Sequence, residues 1–256
     1  MFGAIVGDIA GSTFERFNCR FESCEIFANG SRFTDDTVLT LATAEHFLFA
    51  ESYSDIYRRF GRNYPNAGYG ASFRAWMLSD NPTPYNSWGN GSAMRASPIG
   101  WVADSLEWAL TEAQKSAEVT HNHPSGIRGA QAVAAAVFLA RTGESKEAIR
   151  TNLADSFGYN LNRTVDEIRP QYVFDVSCEG SVPEALIAFL ESSDFESSIR
   201  KAISIGGDSD TIACIAGAIA HAYYRKIPEW MISYCTKALD GAQRTILSEF
   251  WTKFPE

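Results

Sequence analysis

No apolar run in this 256-residue chain approaches the ~18 residues that a membrane-crossing helix needs. The start, Met1-Phe2-Gly3-Ala4-Ile5-Val6-Gly7-Asp8, lacks a basic stretch and is broken by Asp8, so it does not read as a signal peptide. Cysteine is sparse. Cys19, Cys24, Cys178, Cys214 and Cys235 are odd in number, widely spread and never spaced CxxC, which argues against a zinc cage. No Ser sits in a GxSxG setting and no Cys–His pairing stands out, so covalent acyl chemistry has little support. Positive charge is also short: 22 Lys and Arg face 31 Asp and Glu, for a formal net charge of −9. That balance argues against broad nucleic-acid binding and against anionic membrane surfaces. A phosphate-bearing small ligand stays open, because backbone N–H groups and a few Arg can bind one locally. A soluble, reducing, cytoplasmic setting is the expectation.

Period-2 alternation is nearly absent; Tyr172-Val173-Phe174-Asp175-Val176 is the one plausible strand. Helical spacing dominates instead. It predicts helices over 35–50, 105–118, 126–141, from Ser145 to Leu153, from Pro183 to Leu190, over 194–204 and 210–225, from Pro228, and over 240–253. The segments 126–141 and 210–225 are apolar almost all round and read as buried. The stretch 158–181 reads as a long loop over one face. No linker or repeat divides the chain. The expected fold class is therefore all-α, with residues 1–256 as a single domain, an orthogonal helical bundle around two buried helices.

Four segments, read as loops, concentrate the chemistry. In Gly7-Asp8-Ile9-Ala10-Gly11-Ser12-Thr13-Phe14-Glu15, small residues permit close packing, and Glu15 projects either to solvent or into a site. Thr34-Asp35-Asp36-Thr37 reads either as a helix cap or as a metal cluster; a cap needs one such residue, and adjacent carboxylates repel unless a cation lies between them. Gly206-Gly207-Asp208-Ser209-Asp210-Thr211 reads either as a turn and cap or as a second acidic cluster, with the glycines implying positive φ or a close approach. Hard oxygen ligands in two such clusters suit Mg²⁺ or Mn²⁺, and folding could pair them into a two-ion site. Ser87-Trp88-Gly89-Asn90-Gly91-Ser92-Ala93-Met94-Arg95 is a Gly-rich turn that reads either as a phosphate cradle or as an ordinary turn, with Trp88 either stacking on a base or in the core. His121 and His123 read as loop histidines, His46 and His221 as packing or surface residues.

Taken in order, these segments resemble the ADP-ribosylglycohydrolase family, which includes the dinitrogenase-reductase-activating glycohydrolases. The resemblance is carried by Gly7-Asp8-Ile9-Ala10-Gly11 with Glu15, Phe33-Thr34-Asp35-Asp36-Thr37, Gly89-Asn90-Gly91-Ser92-Ala93-Met94-Arg95, Thr120-His121 and Gly206-Gly207-Asp208-Ser209-Asp210-Thr211. It implies an all-α fold with two divalent cations, Mg²⁺ or Mn²⁺. The positions matching the family's metal ligands are Thr34, Asp35, Asp36, Asp208, Asp210 and Thr211. Glu15 matches the acid beside the metals, with Asp35 or Asp36 as the groups expected to share its proton-transfer role. The Gly89–Arg95 segment, namely Gly89, Asn90, Gly91, Ser92, Ala93, Met94 and Arg95, matches the stretch that holds the ADP-ribose diphosphate, with Trp88 just before it. His121 matches a ligand-contacting histidine, and Tyr69 lies in a segment near the site.

The implied reaction is metal-dependent hydrolysis at ribose C1″ of ADP-ribosylated protein side chains or small-molecule ADP-ribose conjugates. A non-catalytic ADP-ribose reader or structural protein on the same scaffold is the alternative, and a metal phosphohydrolase a third. The sequence leaves the acceptor linkage, the choice between Mg²⁺ and Mn²⁺, and the oligomeric state open, with a monomer plausible.

Overall fold

The computed structural model describes residues 1–255. Fifteen helices follow one another: α1 (Phe2–Gly11), α2 (Asp35–Phe49), α3 (Tyr53–Asn63), α4 (Ala71–Leu78), α5 (Gly91–Met94), α6 (Ser97–Val102), α7 (Leu106–Glu118), α8 (Pro124–Arg141), α9 (Lys146–Phe157), α10 (Val165–Ile168), α11 (Cys178–Leu190), α12 (Phe195–Ile205), α13 (Ser209–Tyr224), α14 (Glu229–Ala238) and α15 (Gly241–Lys253). No strand occurs among the described residues, and the fold is all-α. No helix among them is long and apolar enough to cross a membrane.

The local sequence explains most helix starts. Ser52, Ser105, Ser145, Asp194 and Asp240 accept a backbone N–H at the start of α3, α7, α9, α12 and α15. Such caps stabilise a helix by ~1 kcal/mol each. The two helices expected to be buried, α8 and α13, lie in the core: Ala132 to Val137 and Ile212 to Ala216 are fully covered.

α1 corrects the reading of residues 7–15 as a loop. Residues 2–11 are helical and every one is buried. Glycines weaken helix propensity, by ~1 kcal/mol each against Ala, which hid this helix from the spacing argument. Its stability comes from contact with α13. Gly3, Gly7 and Gly11 recur every four residues on one face. A Cβ at Gly7 would meet the Ala213 carbonyl oxygen at 1.9 Å, and one at Gly3 the Gly217 oxygen at 2.2 Å. The small residues therefore bring two backbones into direct contact, and the acids at the end of each helix with them.

Other expectations shift. Residues 172–176 are not a strand: Val173, Phe174 and Val176 are exposed, and no strand lies alongside to pair with. The single bridge nearby joins Gly89 to Ser177. The supposed loop 158–181 contains α10, closed by a capping box between Thr164 and Glu167. Pro183 does not open its helix; α11 starts at Cys178 on a Ser177 cap and carries Pro183 inside. α3, α4 and α6 had no counterpart in the spacing argument. Cys19 and Cys24 lie side by side as a disulfide pair, with Cα atoms 6.5 Å apart. Cys178, Cys214 and Cys235 are free and buried.

Candidate functional site

A cavity of about 710 Å³ opens where the N-termini of α2 and α13 converge. Its lining includes Glu15, Thr34, Asp35, Asp36, Asp208, Asp210 and Thr211, together with Trp88, Gly89, Asn90, Gly91, Met94, Arg95 and His121. The volume falls in the ~300–1,000 Å³ range of small-molecule sites. Of the residues given a catalytic, metal or substrate role from sequence, Ser92, Ala93 and Tyr69 stand outside this lining. The Ser92 hydroxyl donates to the Gly126 carbonyl at 2.7 Å. Ala93 is fully buried. Tyr69 is buried and stacks on Phe73, with ring centroids 5.0 Å apart.

The acids are held by a network that begins on α1. Thr34 N–H donates to Asp8 Oδ2 at 2.8 Å, and the Thr34 hydroxyl donates to Asp8 Oδ1 at 2.6 Å. Thr37 N–H donates to Asp8 Oδ2 at 3.1 Å, and the Thr37 hydroxyl also donates to that oxygen. Asp8 thus fixes the first turn of α2 and with it Asp35 and Asp36. The Thr211 hydroxyl donates to Asp36 Oδ2 at 3.3 Å, joining the two acidic clusters. Asn90 Nδ2 donates to Asp208 Oδ2 at 2.6 Å, tying the Gly-rich turn to the second cluster. Gly206 and Gly207 both have positive φ, 77° and 70°, and Gly207 N–H donates to the Asn18 side chain. The expected left-handed backbone at the di-glycine is therefore present.

Oxygens of Asp8, Asp36 and Asp210 lie within 4.8 Å of one another. Among the described residues no Lys or Arg forms an ion pair with Asp8, Asp35, Asp36, Asp208 or Asp210. Burial, and then the charge of Asp210, push the Asp8 carboxyl up to about 7 and the Asp35 carboxyl up to about 8. Burial and the neighbouring carboxylates hold Asp36 and Asp208 well above the usual range. Glu15 is raised by burial and by Asp210, against the pull of Arg16 and Arg32. Asp36 Oδ1 is buried and has no hydrogen-bond partner. Crowded, unpaired carboxylates with an orphan oxygen fit a hard divalent cation, which would neutralise their repulsion and take the free lone pairs.

The other wall carries different chemistry. Trp88 is 51% exposed, so its ring is not core. His121 is buried, its Nδ1 lies 2.7 Å from the Thr120 hydroxyl, and its Nε2 faces the turn, 3.1 Å from where a Cβ at Gly91 would stand. Burial, with Arg95 beside it, pushes its pKa well below the ordinary value, so the imidazole is neutral. Arg95 is fully buried, lies over the Tyr57 ring at 4.2 Å, and donates through Nη2 to Ser116 O and Thr120 Oγ1. Its Nε and Nη1 have no protein partner. His123 caps α8, Ser125 N–H donating to its Nδ1 at 3.1 Å. His46 stacks on Tyr53 and His221 packs against Trp101, as packing residues do.

Asp8 is the site residue that sequence reasoning missed. It was quoted only as part of a small-residue segment. A single acid within an apolar, glycine-spaced run was the available signal, because a charge there is buried once the run packs as a helix.

The ADP-ribosylglycohydrolase family model matches residues 1–254, and the chain belongs to that family. Among curated relatives, bovine (Bos taurus) ADP-ribosylhydrolase ARH3 is 30% identical, over 77% of this chain and 72% of that protein. The human (Homo sapiens) ADP-ribosylhydrolase ARH3 is 28% identical, over 89% and 85%. The ADP-ribosylarginine hydrolase Tri1 of Pseudomonas putida is 26% identical, over 90% and 72%. A solved structure, described as an ADP-ribosylglycohydrolase-related protein complex, superposes with a TM-score of 0.73 at 24% identity, covering 97% of this chain and 93% of that one. That likeness establishes the shared fold.

Proposed function

We propose that this chain is a metal-dependent hydrolase that cleaves the glycosidic bond at ribose C1″ of ADP-ribosylated side chains or related ADP-ribose conjugates, releasing ADP-ribose. The observation that carries this reading is the gathering of Asp36, Asp208 and Asp210, with Glu15 at their edge, around one cavity, with no ion pair to any of the three Asp among the described residues. The relatives' names, ADP-ribosylhydrolase and ADP-ribosylarginine hydrolase, support it.

Thr34, Asp35, Asp36, Asp208, Asp210 and Thr211 would hold two divalent cations, Mg²⁺ or Mn²⁺. When bound, such ions neutralise the acids, grip vicinal ribose hydroxyls and polarise a water. Asp8 positions this set by bonding Thr34 and Thr37, and Asn90 does the same for Asp208. Trp88 offers an exposed aromatic face for the adenine, while Gly89, Gly91, Arg95 and the neutral His121 surround the diphosphate. Departure of the acceptor from C1″ builds positive charge on the ribose, and the acid-lined wall favours that charge. Glu15 is only partly buried and its carboxyl is raised, which suits it to hand a proton to the leaving group or take one from the attacking water. Asp35, partly exposed beside it, is the second group able to hold a proton there.

The test is a linkage panel. Arginine-linked and serine-linked ADP-ribosyl peptides and O-acetyl-ADP-ribose are incubated with the protein and Mg²⁺ or Mn²⁺, and free ADP-ribose is followed. Release from one substrate names the linkage. Tight binding with no release from any would mark a reader of ADP-ribose and refute the hydrolase.

A further inference from the structure

Three arginines line the mouth of the acidic cavity: Arg16, Arg32 and Arg74. All three are exposed. None forms an ion pair among the described residues. The guanidinium groups of Arg16 and Arg32 make no hydrogen bond among them either. Arg74 is anchored by Nε, which donates to the Tyr69 carbonyl at 2.9 Å, leaving its two terminal nitrogens free. In a chain of net charge −9, these are three exposed guanidinium groups gathered at one opening.

Their position says which half of a substrate they meet. Arg16 and Arg32 lie close enough to Glu15 to act on its carboxyl. Arg74 follows Gly68 and Tyr69, the segment against Asp35, where a Cβ at Gly68 would stand 3.0 Å from Asp35 Oδ1. All three therefore flank the Glu15–Asp35 side. The wall of Trp88, Gly91 and His121 is built from other elements. With the ribose at the acids and the ADP half along the Trp88 wall, the side that remains is the one where the acceptor departs.

We propose that Arg16, Arg32 and Arg74 form an acceptor-recognition rim that selects ADP-ribosylated polypeptides carrying acidic residues beside the modified side chain. The inference rests on the function proposed above, because it is that reading which places the acceptor on this side. Guanidinium groups pair with carboxylates through two parallel hydrogen bonds, and free ones at a rim discriminate by charge. An acidic polypeptide is otherwise repelled by a surface of this net charge, so its entry needs such a local patch. Contacts to the peptide flanks act on binding; Arg16 and Arg32 also lower the Glu15 carboxyl, so each variant is read by comparing its own peptides with one another.

The experiment compares three peptides with one modified residue, flanked by Glu, Gln or Lys pairs, together with a flank-free ADP-ribose conjugate as reference. Turnover and fluorescence-anisotropy affinity are measured for the native protein, for the combined Arg16→Ala, Arg32→Ala, Arg74→Ala variant, and for the matching Arg→Lys variant. A few screened rim contacts predict a KM about tenfold lower for the Glu-flanked than for the Lys-flanked peptide, with equal kcat. That preference shrinks as salt rises, collapses in the Ala variant and survives in part in the Lys variant. Equal KM for all three peptides overturns the proposal. So does an Ala variant whose KM for the flank-free conjugate rises by the same factor, since the rim would then be holding the diphosphate. Absence of turnover from every peptide refutes the hydrolase reading instead, and the anisotropy affinities still decide the charge preference.

Discussion

The Thr34 hydroxyl donates to the buried carboxylate of Asp8 at 2.6 Å, so the first helix holds the first turn of the second. This contact places Asp8 behind the acids of the cavity as a positioning residue. Asp8→Asn keeps the shape but turns an acceptor oxygen into a donor that faces the donors of Thr34 and Thr37. Losing a supporting residue of this kind costs ~10–100-fold in metal affinity. A drop of that size in Mg²⁺ or Mn²⁺ affinity, measured by calorimetry, is expected. Unchanged affinity would show that α2 holds its turn without Asp8.

The contact between α1 and α13 has no room for a methyl group at Gly7. Its Cβ would sit 1.9 Å from a backbone oxygen, which no rotamer can relieve. Gly7→Ala is therefore expected to lose at least ~2 kcal/mol of unfolding free energy in urea. Gly241→Ala is the control, since nothing lies within 4 Å of its Cβ, and it should stay within ~0.5 kcal/mol of the native protein.

Acidity should set the stability of the cation-free protein. The carboxyls of Asp8 and Asp35 rise from 3.8 to about 7 and about 8 on folding, and Asp36 and Asp208 rise as well. The folded state then binds more protons than the unfolded one over that window. Stability from these groups is full below about pH 4 and is lost as pH rises through about 7 to 8. In chelator, the melting temperature should fall from pH 5 to pH 8. Added Mg²⁺ or Mn²⁺ should restore it, more strongly at pH 8, by binding the folded state alone. A melting temperature that rises over this range in chelator would contradict the assignment.

Two tryptophans separate binding from folding. Trp88 is 51% exposed at the cavity, whereas Trp101 is 3% exposed in the core. Stacking of a base on an aromatic ring is worth ~1–3 kcal/mol. Trp88→Ala should raise KM about tenfold or more with little change in melting temperature. Trp101→Ala should lower unfolding free energy by ~3–5 kcal/mol. Equal KM for the Trp88 variant would move the adenine elsewhere.

Much of this architecture was legible in the sequence, for reasons that differ by element. α8 and α13 declared themselves through apolar residues on every face, and α7, α9, α12 and α15 through helical spacing, their caps being visible only in the structure. Thr34, Asp35, Asp36, Asp208, Asp210 and Thr211 were legible as candidates because paired carboxylates with hydroxyls exceed what a cap requires, whereas Glu15 stood out through the family resemblance; the cavity gathers them all. α1 was not legible, because its glycines lower the local propensity and its stability lies in contacts with residues far along the chain. Asp8 was lost with it. Tyr172–Val176 misled in the other direction: its β-branched and aromatic residues match a strand, yet among the described residues there is no strand for them to join, and Phe174 and Val176 line the cavity instead. Tertiary neighbours, absent from any local window, decided both cases.

The central claim is that release of ADP-ribose requires divalent cations held by the Asp clusters. The most direct measurement is the rate of ADP-ribose release from the preferred substrate of the linkage panel, before and after exhaustive chelation and after return of Mg²⁺ or Mn²⁺, with Asp210→Ala alongside. The account predicts that chelation abolishes release, that the returned cation restores it in the native protein, and that the Asp210→Ala variant stays inactive throughout. Full activity in the chelated native protein would contradict it.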